Sequence, residues 1–95
     1  MYTITERKIV TITHFYLFTT SGCHLCEQAE ALLNNILNTA QQLHLEEISG
    51  SDELMQKYGI RIPVLGAYNA AGEWQELGWP FASEEIHSFI ASCYS

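Results

Sequence analysis

The chain has 95 residues, 47% of them hydrophobic, which suits one domain (1–95) with its own core. Its formal net charge is −7, and Arg7, Lys8, Lys57 and Arg61 are its only lysines and arginines. The basic footprint of a nucleic-acid or anionic-membrane binder is therefore missing. No stretch approaches the roughly 20 apolar residues of a membrane span, and three cysteines are too few for a disulfide-stapled secreted fold.

Residues 1–11 mix short apolar pieces with Glu6, Arg7 and Lys8, so Tyr2, Ile4 and Ile9, with Ile12, fit an N-terminal arm or an extra strand broken by a turn. The absence of an apolar h-region predicts no secretory signal, and a cytoplasmic location is expected. The aromatic run His14-Phe15-Tyr16-Leu17-Phe18 predicts a buried strand over 12–18. Thr19-Thr20-Ser21-Gly22 then makes a turn. From near Cys23 to near Gln41, Leu25, Ala29, Leu32, Leu33, Ile36, Leu37 and Ala40 form the apolar stripe of a helix. Its polar face carries Glu27, Gln28, Glu30, Asn34 and Asn38.

A second strand is predicted over 43–48, and the intervening helix implies a right-handed parallel crossover. Ser51 and Asp52 can cap a short helix over 53–58, with Gly59 at the C′ position that ends it. Residues 61–68 and 73–77 predict two further strands, joined by the turn Asn69-Ala70-Ala71-Gly72 as an antiparallel hairpin. Ser83 is expected to cap a last helix, with Glu84 and Glu85 in its first turn. Ile86, Phe89, Ile90 and Cys93 are spaced to form that helix's buried face. The order is βαβ-α-ββα.

Chemistry concentrates at Cys23-His24-Leu25-Cys26, where a buried strand runs into a helix. A thiol at a helix N-terminus faces unpaired backbone N–H groups and the positive end of the macrodipole. Both favour the thiolate and bring its pKa from about 8.5 to roughly 3.5–7.5. Cys23 is assigned as the exposed nucleophile and Cys26 as the buried resolving thiol. His24 is either a solvated helix-start residue or a cation that lowers the Cys23 pKa, with Glu27 opposing it. Arg61 and Lys57 either face solvent or supply positive charge for a substrate carboxylate. Trp79-Pro80-Phe81 reads as a core staple or as an apolar rim for a docking partner. Cys93 reads as a small buried hydrophobe, and His14, His44 and His87 as scattered non-ligands.

The element order and Gly22-Cys23-His24-Leu25-Cys26-Glu27-Gln28-Ala29 after a buried strand resemble the glutaredoxins of the thioredoxin superfamily. Arg61-Ile62-Pro63-Val64-Leu65 and Gly78-Trp79-Pro80-Phe81 are similar to the small bacterial glutaredoxin-like proteins. The resemblance implies an α/β thioredoxin fold, a four-stranded mixed sheet flanked by helices. It implies a thiol–disulfide oxidoreductase of cell redox homeostasis, with a redox-active Cys23–Cys26 disulfide. It also implies a cis Pro63 facing that disulfide, so that Ile62 and Pro63 bind substrate; Arg61, by its charge, and Trp79, by its apolar surface, are the further candidate substrate contacts. Cis bonds are essentially confined to X–Pro, and a proline opening a strand removes no ladder bond. The Ile62 N–H and C=O would then pair with an extended substrate.

The expected partners are a disulfide-containing protein or small molecule, and glutathione or a reductase as electron donor. No metal and no resident cofactor are expected, and the chain is expected to be a monomer. This sequence differs from glutaredoxins in His24-Leu25 for their Pro-Tyr, in lacking a Lys before the motif, and in Gly78 to Glu84 for their Gly-Gly and Cys-Asp run. It differs from thioredoxins at Leu17 and Gly22, where those carry a buried Asp and a Trp. Two alternatives stay open: a metal or iron–sulfur site using Cys23 and Cys26, and a non-catalytic docking module.

Overall fold

The computed structural model describes residues 12–94, so the expected arm or strand at 1–11 lies outside the described residues. The elements are β1 (His14–Thr19), α1 (His24–Ile36), β2 (Gln42–Glu47), α2 (Asp52–Tyr58), β3 (Val64–Tyr68), β4 (Trp74–Gly78) and α3 (Ser83–Tyr94). The strands form one sheet in the order β2-β1-β3-β4. β1 pairs with β2 in parallel, Thr19 opposite Glu47, and with β3 antiparallel, Phe18 opposite Val64. β3 and β4 form the antiparallel hairpin, with Val64 opposite Gly78.

Strand alternation gives the sheet two unlike faces. One carries Phe15, Leu17, Leu65 and Ala67, packed with Ala29 and Leu33 of α1 and Ile86, Phe89 and Cys93 of α3. This is the main apolar core. The other carries Phe18 and Val64, packed with Tyr58 of α2 and Ile48. Here aromatic rings do most of the covering. Phe18 and Tyr58 stack at 4.0 Å between centroids, and Trp74 meets Tyr16, Phe18 and Tyr68. The Trp74 indole lies over Gly66, where a Cβ would collide with its six-membered ring. His14 and His44 also meet on this face, Nδ1 to Nε2 at 2.8 Å.

Several element ends differ from the sequence expectation, each for a local reason. α1 stops at Ile36 rather than near Gln41, and Leu37 turns to extended backbone. The Asn38 side chain accepts from the Ala40 N–H, and the Gln41 side chain accepts from the Asn38 N–H. Those local bonds offer the backbone an alternative to the helix. Gly59 caps α2 with a right-handed φ of −51°, not as a left-handed C′ residue. A Cβ at Gly59 would meet the Met55 carbonyl oxygen. Ser51 caps α2 through its hydroxyl, which accepts from the Leu54 N–H at 3.2 Å.

β3 begins at Val64, because the chain turns at Arg61 and bends at Pro63 instead of running as strand. β4 begins at Trp74, because Asn69 Oδ1 holds the Ala71 and Glu73 N–H groups in the hairpin turn. Ser83 is the first helical residue of α3 rather than its cap. The Ala82 carbonyl accepts from Ile86, and the Ala82 N–H donates to Glu85 Oε1 at 2.8 Å.

The tight seat of Trp74 on Gly66 is testable. Gly66→Ala should destabilise the fold by about 1–3 kcal/mol through overpacking. The measurement is the urea midpoint at unchanged m-value; an unshifted midpoint would show that the indole has room to move.

Candidate active site

The sheet register delivers four connections to one end of the molecule. β1 and β2 finish there, β3 begins there and β4 finishes there. The Cys23 loop, the segment after Glu47, the Ile62–Pro63 turn and the Trp79 segment are thus brought together at that edge. Gly22, at φ +79°, makes the corner between β1 and the cysteine pair. This left-handed geometry favours glycine over any residue with a Cβ.

Cys23 is the N-cap of α1, and its Sγ accepts from the Cys26 N–H at 3.1 Å. The sulfur thus takes the place of the hydroxyl or carboxylate oxygen usual at an N-cap. Cys23 is half-buried, whereas Cys26 is 2% exposed. Their Cα atoms are 5.2 Å apart and the two sulfurs form a disulfide. Only one sulfur of the pair is open to an incoming molecule.

His24 and Glu27 form a solvent-exposed pair, Nδ1 to Oε1 at 3.7 Å. Such a contact is screened by water and carries weight only when the imidazole is protonated. Leu25 is 46% exposed although it belongs to the predicted apolar stripe. Beside the Cys23 loop, Thr19, Thr20, Ser21, Glu27, Glu30, Leu45 and Glu47 line an open recess of about 260 Å³. Glu47 accepts from the Thr20 hydroxyl at 2.7 Å and from the Ser49 N–H at 3.0 Å. Those bonds, Thr20 foremost, hold its carboxyl at about 2.

The Ile62–Pro63 and Trp79–Pro80 peptide bonds are both cis. Pro63 is buried, and its carbonyl accepts from the Trp79 N–H at 3.2 Å. The Ile62 N–H donates to the Tyr58 carbonyl at 3.1 Å, so pairing of Ile62 with a substrate rests on its carbonyl. This corrects the expectation that both backbone groups of Ile62 are free for that purpose. Trp79 packs edge-on against Phe81, centroids 5.0 Å apart, and leans on the main core.

Arg61 does not present a free charge. Its guanidinium donates to Glu76 Oε1 at 2.9 Å and lies over the Tyr58 ring. Lys57 Nζ also lies over that ring, 5.3 Å from its centroid. Both described cations outside histidine are therefore engaged within the fold.

Glu76 is the feature that sequence reasoning missed. Its Oε2 accepts from the Tyr58 hydroxyl and from Trp74 Nε1, while Oε1 accepts from Arg61. The available signal was a carboxylate in the middle of a strand, two residues from an aromatic on the same face. Burial alone would raise the Glu76 carboxyl, but the donors from Tyr58, Trp74 and Arg61 outweigh it and hold the group below its ordinary value. Tyr58 is pushed up to about 12, by burial first and then by Glu76. Cys93 is fully buried in the core, and burial raises its thiol. Among the described residues, no group of three or more His, Cys, Asp or Glu side chains could hold a metal ion. Likewise, no helix among them is long and apolar enough to cross a membrane.

Residues 14–91 match the family model of the glutaredoxin-like domain (DUF836). Among solved structures, the chain is similar to a structural-genomics target protein from X. campestris. The two are 29% identical with a TM-score of 0.68, over 82% of this chain and 96% of that one. It is also similar to a mutant thioredoxin from Halobacterium salinarum. That pair is 20% identical with a TM-score of 0.65, over 86% of this chain and 74% of that one. The likeness establishes the thioredoxin fold for the mixed sheet and its three helices. No curated protein matched the chain at a significant level.

Glu76 and Tyr58 predict a stability profile with two limbs, to which Glu47 adds on the acid side and Cys93 on the alkaline side. Glu76, held low when folded, stabilises above the ordinary carboxylate value, and that contribution is lost as pH falls through its depressed one. Tyr58, held high, stabilises below the ordinary phenol value of about 10; this contribution disappears as pH climbs toward about 12. Urea midpoints measured across pH should fall at both ends. Glu76→Gln should make the acid limb shallower, leaving the share of Glu47, and Tyr58→Phe the alkaline limb, leaving the share of Cys93; unchanged limbs would remove Glu76 and Tyr58 from the linkage.

Proposed function

The chain belongs to the glutaredoxin-like domain (DUF836) family, and from that premise we propose that it is a thiol–disulfide oxidoreductase working through Cys23 and Cys26. The observation that carries this reading is the N-cap geometry. Cys23 is half-buried and receives the Cys26 N–H on sulfur, while Cys26 lies directly behind it and is shielded. The helix-end dipoles that solvate the sulfur favour its anionic form once the pair is reduced.

In the proposed cycle the Cys23 thiolate attacks one sulfur of a substrate disulfide. An S–S bond forms between enzyme and substrate, the substrate bond breaks, and the departing thiolate takes a proton from water. Cys26, deprotonated, then attacks Cys23 Sγ and expels the second substrate sulfur. The protein ends as the Cys23–Cys26 disulfide and the substrate as two thiols, so two electrons have moved. Glutathione or a dithiol reductase returns them by the same exchange in reverse. The buried position of Cys26 suits it to the second step alone.

Substrate contacts are proposed at the Ile62 carbonyl, Pro63 and the Trp79 segment, which share the sheet edge with Cys23. Leu25 adds exposed apolar surface beside the pair. A protein disulfide suits this surface. With Arg61 and Lys57 engaged and Glu27, Glu30 and Glu47 around the neighbouring recess, the immediate surroundings offer little to an anionic tripeptide. Electron donation by glutathione and by a dithiol reductase are separable by supplying each in turn. Three cysteines and no stapled framework support a reducing, cytoplasmic setting.

Two measurements test the reading. Reduced Cys23 should alkylate with a midpoint below about 7.5, against about 8.5 for an ordinary thiol; a midpoint at the ordinary value would count against catalysis. Cys26→Ser should accumulate mixed disulfides on Cys23, identifiable by mass spectrometry, while Cys23→Ser should reduce no disulfide. Full turnover by Cys23→Ser would refute the assignment.

A further inference from the structure

The exchange chemistry makes no use of Glu76, whose side chain is 19% exposed and takes three hydrogen bonds. We propose that Glu76 is a positioning residue, holding the Ile62–Pro63 turn where an extended disulfide substrate pairs beside Cys23. This inference rests on the disulfide-exchange reading.

The connections run outward from one carboxylate. Oε1 receives Arg61, the residue immediately before the turn. Oε2 receives the hydroxyl of Tyr58, the last residue of α2. The backbone carbonyl of Tyr58 in turn accepts both the Arg61 N–H at 2.8 Å and the Ile62 N–H at 3.1 Å. The far side of the turn is held from the end of the same strand, where the Trp79 N–H donates to the Pro63 carbonyl. These ties on the turn lead back to β4, either through Glu76 or through Trp79.

Loss of the carboxylate charge would disturb more than one bond. Glutamine offers one carbonyl oxygen and a two-donor amide. The Arg61 guanidinium on one side, and the Tyr58 hydroxyl and Trp74 indole on the other, are all placed to donate. One side must then face donor against donor, and a buried donor left without its acceptor is strongly disfavoured. The Arg61 side of the turn loses its tie to β4, the Trp79–Pro63 bond on the far side remains, and Cys23, on the opposite face's helix α1, keeps its own cap.

Substrates should feel this unequally. A small disulfide needs only Cys23, whereas an extended chain also needs the backbone of the turn. Displacement of a positioning element by an ångström can lower rates up to about a hundredfold. The test compares insulin with hydroxyethyl disulfide on the full chain, for the native protein and for Glu76→Gln. The expected result with insulin is a kcat/KM lowered by about tenfold, carried mainly by KM, with hydroxyethyl disulfide changed by less than about twofold. Tyr58→Phe keeps the ring on Phe18 but removes the hydroxyl, and should move insulin turnover the same way by a smaller factor. It carries the test if Glu76→Gln does not fold. Equal losses on both substrates, or none with insulin, would overturn the positioning role. A native protein inactive on both would instead overturn the exchange reading itself.

Discussion

The register of β1 is the constraint from which the rest follows. This strand is bonded on both sides, in parallel to β2 and antiparallel to β3. A slip of one residue would carry Phe15 and Leu17 out of the main core and turn the opposite side chains inward. Both are fully buried, and each side chain of that size contributes about 1.5–3 kcal/mol on leaving water. The same register fixes which loops meet. With Thr19 opposite Glu47 and Phe18 opposite Val64, the cysteine corner and the proline turn must lie at one edge.

The two faces of the sheet are secured by different means. The two longer helices seal the main-core side. The other side has only the seven residues of α2 and a set of rings. A helix that short is not stable by itself. Its final residue is fastened by stacking on Phe18 and by a hydroxyl bond to Glu76. Polar fastening replaces bulk where bulk is lacking, and it falls on the residue whose carbonyl gathers the turn before Pro63.

Much of this was legible in the residues, and what was not has identifiable causes. The order of elements followed from periodicity, because long apolar stripes and alternating strands are strong signals. The seam that holds Cys23 was readable because a buried run, a Gly22 corner and an amphipathic stripe succeed one another. Boundaries failed where side chains compete for backbone groups, as Asn38 does after α1 and Asn69 does in the hairpin. The pairing of Arg61 with Glu76 was not legible because its partner is 15 residues away and across the hairpin. The meeting of His14 with His44 depends on the parallel register, which spacing along the chain does not reveal. Ile62 illustrates a finer failure: its place beside the proline was readable, but its donor's destination required α2 to be in position.

Cys93 belongs to the main core with Phe89 and Ile86, sealed from solvent, and that seclusion favours its protonated form. A protein that trades disulfides runs the hazard of scrambling, in which a bystander sulfur captures an intermediate and strands it. Here the chain's third cysteine is entombed between helix and sheet, out of reach of anything tethered to Cys23. Under the proposed exchange, fidelity would be a by-product of ordinary core packing, with no dedicated safeguard required.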